Sequence, residues 1–213
     1  MYDGIPYGRY LDTSSCRVSV DSIRLKFTYK YQNYSYEKKC SVTTIDQLSC
    51  HIDNMFFNGC DTKWSYKDFF QIGSYCRTCT ISGINWSCAV LFGRYCYDSS
   101  CKQIAPEAVF DFNPNKVPLE ILQQVIARLR GPALIVELVR FDIAFDFPCK
   151  REAVTLVQDQ RRSYRLFREK GAITEYQGAR SSHGSLKLYD KTKESGLSCD
   201  VTRCEITVEG EYT

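Results

Sequence analysis

The stretch ALIVELVRFDIAFDF, from Ala133 to Phe147, is the most restrictive part of this chain. Over its second half a large apolar residue recurs at every second position without a break. Val139, Phe141, Ile143, Phe145 and Phe147 fall on one side of an extended backbone, and Arg140, Asp142, Ala144 and Asp146 on the other. Side chains two apart on a strand share a face. The pattern therefore predicts a long strand with an uninterrupted apolar row toward the core and a polar row opposite.

The rest of the chain is read against that strand. SIRLKFTYKY (Ser22–Tyr31) alternates as a half-buried strand with a basic outer face. Residues 40–85 are less regular, with short helices expected in TTIDQLSCHIDNMF and SYKDFFQIG. INWSCAVLFGRYCY and IAPEAVFDFNPNK predict a hairpin. Pro118 opens a helix, PLEILQQVIARLR, with an apolar stripe of Leu119, Leu122, Val125, Ile126 and Leu129, and Gly131 stops it. Arg151–Gly171 is expected to form a second helix. AITEYQG and SLKLYDK form a hairpin around ARSSHG, and Val201–Gly210 is a last strand. The order predicts an α+β fold, a largely antiparallel sheet with helices packed on one face. Residues 1–20 are expected to be an irregular lead-in and 21–213 a single domain, and the stop straight after a strand leaves room for a further C-terminal part.

The 213 residues carry a net charge of +3, too mild to identify a nucleic-acid partner alone. No apolar run is long enough for a membrane helix and the N-terminus lacks a signal-peptide pattern, so a cytoplasmic protein is expected. Twelve cysteines are many for this length. Without an export signal they are expected to be reduced thiols, several acting as small core residues, such as Cys88 in SCAVLF. Cys76 and Cys79 in CRTC, with Cys96 and Cys101, are the candidate ligands of an alternative zinc site.

Three strands place chemistry opposite their apolar rows. Lys187, Tyr189 and Lys191 oppose Leu186 and Leu188. Arg203, Glu205, Thr207 and Glu209 oppose Cys204, Ile206 and Val208. If these strands are neighbours, Asp142, Asp146, Tyr189, Arg203 and Glu205 converge on one surface. Carboxylates gathered with cationic groups suit a hard divalent ion, and a tyrosine beside them could attack phosphorus. Polar alternation is also what any half-solvated sheet shows, with routine cross-strand ion pairs. Between Lys150 and Lys191 ten basic side chains face five acidic ones. Arg161, Arg165 and Arg168 are expected on one helical face, where they could neutralise phosphates. Arg180 beside Ser181 and Ser182 is the stronger phosphate-binding candidate.

FNPNK (Phe112–Lys116), VRFDIAFDFP (Val139–Pro148), EYQGARSSHGSLKLYDKTKE (Glu175–Glu194) and TRCEITVE (Thr202–Glu209) occur in this order. Together they resemble the replication initiation factor family, which includes rolling-circle plasmid initiators of the Rep-trans type, related relaxases and phage initiators. The resemblance covers residues 105–210. It implies a metal-dependent nick at a single-stranded or cruciform origin, with a 5′-phosphotyrosyl link and a free 3′-OH. It implies Tyr189 as nucleophile, with Tyr176 an alternative. Asp142, Asp146, Glu194 and Glu205 would hold Mg2+ or Mn2+. Arg180, Ser182, Lys187, Lys191 and Arg203 would hold phosphate. A helicase partner and a homodimer are further expectations. The competing reading is an origin- or operator-binding protein without nicking activity.

Overall fold

Alternation becomes strand through most of the chain. The computed structural model describes residues 11–13, 16–29, 33–35, 40–44, 65–72, 75–95, 103–169, 171–179 and 183–210. In chain order the strands are β1 (Leu11–Thr13), β2 (Cys16–Tyr29), β3 (Asn33–Ser35), β4 (Cys40–Thr44), β5 (Ser65–Ile72), β6 (Tyr75–Gly83), β7 (Trp86–Tyr95) and β8 (Gln103–Phe112). Helix α1 (Leu119–Arg130) follows, then β9 (Ala133–Phe147), a 3-10 turn at Arg151–Ala153, β10 (Tyr164–Glu169), β11 (Ala172–Gln177), β12 (Leu186–Asp190), helix α2 (Lys191–Ser195) and β13 (Thr202–Glu209). The pairings resolved between these strands are antiparallel.

The chain forms two compact units. One comprises residues 1–23 and 139–213, the other residues 24–138, so β2 and β9 each contribute to both. In the second unit, β5, β6, β7 and β8 form a meander, and β4 pairs with β8. Phe27, Val90, Phe92 and Phe110 are fully buried there. The register shifts between Phe92 and Arg94, where Gly93 takes φ 62°. A glycine accommodates such a bulge without a Cβ clash.

FNPNK is a turn that leads into α1. The Asn113 carbonyl accepts from the amides of Lys116 and Val117, and the Asn113 side chain accepts from Asn115 N (2.8 Å). Pro118, extended at φ −55° and ψ 142°, then precedes the helix, and Gly131 caps its end. Leu122, Val125 and Leu129 are its buried stripe. Tyr29 Oη donates to the Leu129 carbonyl (3.3 Å), which joins strand and helix end.

Four expectations are corrected. SYKDFFQIG contains no short helix; Ser65–Ile72 is a strand paired with β6, as its aromatic and β-branched content favours. TTIDQLSCHIDNMF lies mostly outside the described residues. Arg151–Gly171 is not a helix either. Asp159 captures the Arg161 amide (2.9 Å) in a local turn, and Tyr164–Glu169 pairs residue by residue with Ala172–Gln177. A tight turn with Gly171 at φ 75° closes that hairpin. Side-chain capture of a backbone amide and a complete ladder outcompete helical spacing. The third correction is that β2 begins at Cys16, ahead of the expected Ser22, because the alternation of Val18 and Val20 extends it. The fourth concerns the layering. Among the described residues, α1 and α2 belong to different units, so a helical layer on one sheet face is not what organises them. No described helix is long and apolar enough to cross a membrane.

Leu129 is fully buried and has its carbonyl engaged by Tyr29. Leu129→Ala is expected to destabilise the second unit by about 2–5 kcal/mol, from lost transfer energy and the cavity left behind. Urea unfolding monitored by tyrosine and tryptophan fluorescence measures it; an unchanged midpoint would contradict this packing.

Candidate functional site on one sheet face

In the first unit, the strand order β10–β11–β12–β13–β9 and its register bring one polar row from each strand together. Tyr189 lies opposite Thr174 on β11 and Arg203 on β13, and Arg203 lies opposite Asp146 on β9. One row further along, Arg165, Tyr176, Lys187, Glu205 and Ala144 line up in the same way. Thr207 lies opposite Asp142. The face therefore carries Asp142, Asp146, Lys187, Tyr189, Arg203, Glu205 and Arg165. The last residue arrives on a strand rather than a helix.

At Asp146 and Arg203 the polar row is more enclosed than the β9 apolar row behind it. Asp146 is 1% exposed and Arg203 3%, whereas Phe141, Ile143, Phe145 and Phe147 are half-buried. This reverses the expected core row. The polar groups can be buried because they satisfy one another. Arg203 donates from Nε and Nη2 to the two oxygens of Asp146 (2.6 and 2.7 Å), and from Nη1 to Asp21 (3.0 Å). Burial alone would lower the guanidinium pKa, but the hydrogen bond and charge of Asp146 outweigh it and hold the pKa above its usual value.

Tyr189 is 4% exposed and sits on this face rather than with Leu188. Its Oη donates to Glu205 Oε1 (2.6 Å). Lys187 Nζ lies 3.8 Å from the ring centroid and 3.7 Å from Glu205 Oε2, and Lys191 Nζ lies 5.8 Å from the centroid. Burial first, then the Glu205 carboxylate, push the phenol pKa well above its ordinary range. Burial also raises the Glu205 carboxyl, against the lowering contributions of the Tyr189 hydrogen bond and Lys187. Beside the ring opens a cleft of about 850 Å3, lined in part by Arg165, Phe167, Tyr176, Lys187, Tyr189 and Glu194.

YDKTKE resolves into a strand end and a helix cap. Asp190 accepts from the Lys193 amide (3.0 Å) and caps α2, which ends at Gly196 with φ 61°. Glu194 accepts from Lys191 Nζ. Burial would raise the Glu194 carboxyl, but that hydrogen bond and the charges of Lys191, Lys187 and Arg203 bring it below its usual value.

The residues expected to hold a metal do not form a ligand set. Asp142 is gripped by Arg140 through both oxygens (3.1 and 2.8 Å), Asp146 by Arg203, Glu194 by Lys191, and Glu205 accepts from Tyr189. Among the described residues no group of three His, Cys, Asp or Glu is placed to hold a metal ion. The donor geometry therefore does not fit Mg2+ or Mn2+. Arg161 is exposed in the turn before β10 and does not line the cleft, and Arg168 lies on the opposite face of β10 from Arg165. Arg180 and Ser182 lie outside the described residues, as do the side chain of Cys76 and residues Cys96 and Cys101 of the zinc alternative. Cys79 and Cys88 are buried, and burial pushes the Cys88 thiol up to about 12. His183 binds the backbone of Glu209 at the hairpin end, Nδ1 lying 3.1 Å from the carbonyl.

Sequence reasoning missed several cleft residues, among them Phe167, Thr174 and Lys193. Phe167 and Thr174 were hidden by the helical reading of the segment before Gly171 and by the lack of a register. Lys193 lies in α2, donates to the Gly171 carbonyl (2.7 Å) and lines the cleft.

No protein-family model matches the chain, and no curated protein matches it. The chain is similar to the structure of a rolling circle replication initiator protein from Geobacillus stearothermophilus, at a TM-score of 0.47 and 17% identity. That match covers 91% of this chain and 74% of the other.

Two stability experiments test the face. Arg203→Met strands the buried Asp146 carboxylate and is expected to cost about 3–5 kcal/mol, while the double variant Arg203→Met/Asp146→Leu recovers most of it. Denaturant titration of both variants checks this; equal losses would show that the pair is not the element being tested. Glu205 has a raised pKa in the folded chain. Its protonated form therefore stabilises the fold fully below the unfolded value of about 4.3, and that contribution is lost as pH rises through the folded value. Glu205→Gln is expected to melt higher than the parent at pH 7 and equal to it near pH 4. A pH-independent difference in Tm would contradict the assigned direction.

Proposed function

We propose that this chain nicks and rejoins one strand of DNA at an origin, with Tyr189 as the nucleophile. The observation that carries the reading is the Tyr189–Glu205 hydrogen bond of 2.6 Å beside a cleft, with two lysine ammonium groups next to the ring. Nucleophilic catalysis by a weak acid needs an adjacent base oriented by a third group. Glu205 is that base, and Lys187 and Arg203 are the groups next to it. Three of the four ordered motifs that resemble replication initiation factors fall on strands of this unit.

The step balances on the residues present. Tyr189 Oη bonds to phosphorus while its proton passes to Glu205 Oε1. The bond from phosphorus to the 3′ oxygen breaks, leaving a 5′-phosphotyrosyl link. The 3′ oxygen takes a proton, for which Lys187 and Lys191 are the nearby ammonium donors, and becomes the 3′-OH. Rejoining runs in reverse, with the 3′-OH attacking the phosphotyrosine. The raised pKa of Glu205 makes it a stronger base than a solvated carboxylate. The raised pKa of Tyr189 keeps the phenol neutral until a phosphate arrives. No step is routed through a metal, because the carboxylates do not converge.

A second reading, a DNA-binding protein without nicking activity, is favoured by one fact: Tyr189 is buried and held in its protonated form. The two readings separate in a covalent-adduct assay with single-stranded origin oligonucleotides, run with magnesium, with manganese and with chelator. The nicking reading expects a protein–DNA adduct that Tyr189→Phe abolishes and Glu205→Gln slows about 10²–10⁴-fold. An adduct formed at full rate by Tyr189→Phe would remove Tyr189 as nucleophile. Salt-sensitive binding without any adduct would establish the second reading.

A further inference from the structure

Phe167 is the unusual residue of the cleft. It is 53% exposed on β10, yet it lies on the polar face, in the same cross-strand row as Thr174 and Tyr189. It lines the cleft and meets Tyr176 edge to face, with ring centroids 5.5 Å apart and planes at 89°. Tyr176 sits between Arg165 and Lys187 in the neighbouring row. Arg165 is exposed and forms no ion pair among the described residues. Two aromatic rings thus stand beside two cations, Phe167 two strand spacings (~10 Å) and Tyr176 one spacing (~5 Å) from the strand that carries Lys187 and Tyr189.

We propose that Phe167 and Tyr176 form a stacking platform for an unpaired base of single-stranded DNA, whose backbone is held by Arg165 and Lys187. The proposal rests on the nicking reading for the position of the phosphate, and it adds where the neighbouring base goes. Charge complementarity selects the occupant. An apolar peptide would gain nothing from Arg165 and Lys187, whereas a nucleotide presents a ring and an anion together. Stacking on an aromatic tolerates any base because every base has a π-face, and each base contributes about 1–3 kcal/mol. In double-stranded DNA the base faces are already stacked, so the platform distinguishes single strands from duplex. Phe167 is a binding residue here, not a catalytic one.

The test is fluorescence anisotropy of the full chain with labelled oligothymidylate, against an oligonucleotide of the same length made of abasic sites. Phe167→Ala is expected to weaken thymidylate binding about 5–150-fold, the range given by that stacking energy. Phe167→Trp should retain it, and the abasic strand should bind the parent and Phe167→Ala equally. Because Phe167 is exposed, these variants are expected to fold, which circular dichroism verifies. Thymidylate binding unaffected by Phe167→Ala, or an equal loss on the abasic strand, would overturn the platform. So would failure of the parent chain to bind the oligonucleotide. An adduct with no Phe167 dependence of binding removes the platform alone, and a Phe167 dependence without any adduct removes the nicking reading alone.

Discussion

The Arg203 guanidinium ties three strands of the first unit to one register. It is anchored on β13, takes both oxygens of Asp146 on β9 and reaches Asp21 on β2. A one-residue slip of β13 would move Arg203 to the half-buried apolar side and leave Asp146 uncompensated. Ion pairs this enclosed are weak evidence for stability, since desolvation offsets most of their attraction. Their effect here is on register. Once Arg203 opposes Asp146, the β13–β9 ladder also sets Glu205 against Ala144 and Thr207 against Asp142, and the neighbouring β12–β13 ladder sets Lys187 against Glu205 and Tyr189 against Arg203. The Tyr189–Glu205 hydrogen bond is a consequence of that alignment, made across two strands whose separation the ladder holds constant.

What could be read in the sequence was periodic. The strand Ala133–Phe147, the helix between Pro118 and Gly131, the hairpin of β11 and β12 and the final strand all carry a strict period with clear stops. The polar row was legible for the same reason, because Asp142, Asp146, Lys187, Tyr189, Arg203 and Glu205 sit at even spacings on regular strands. Arg151–Gly171 was misread because its residues suit a helix by composition, and the competing hairpin partner lies beyond Gly171. The enclosure of the two faces was misread for a different reason. Hydrophobicity ranks Phe145 above Asp146, but burial depends on whether a polar group finds its partners, and those partners are distant in sequence. Asp21 and Arg203 are 182 residues apart. A list of carboxylates likewise does not reveal that Arg140, Arg203 and Lys191 bind Asp142, Asp146 and Glu194.

The site has an internal tension that its chemistry must resolve. Burial disfavours charge on both Tyr189 and Glu205, and the two share one proton along a 2.6 Å hydrogen bond. In that state the phenol is a poor nucleophile. Lys187 stands near both groups, 3.8 Å from the ring centroid and 3.7 Å from the carboxylate. A phosphate entering the cleft would compete with Glu205 for that ammonium. As the lysine turns toward phosphate, Glu205 loses a stabilising cation and its affinity for a proton rises. On the proposed nicking reading, substrate binding would thereby strengthen Glu205 as a base at the moment Tyr189 must lose its proton.

Cations at the two ends of the cleft are not equivalent. Near α2, Lys191 and Lys193 are held by Glu194, Asp190 and the Gly171 carbonyl, so an incoming anion there must displace existing partners. At the β10 end, Arg165 has no such ion pair among the described residues and stands exposed next to Tyr176. An anion gains more from a cation that need not first release a carboxylate. On the proposed reading, a single strand laid in the cleft would be held first at the Arg165–Lys187 row, and Tyr189, one row further on, would face the phosphate that follows.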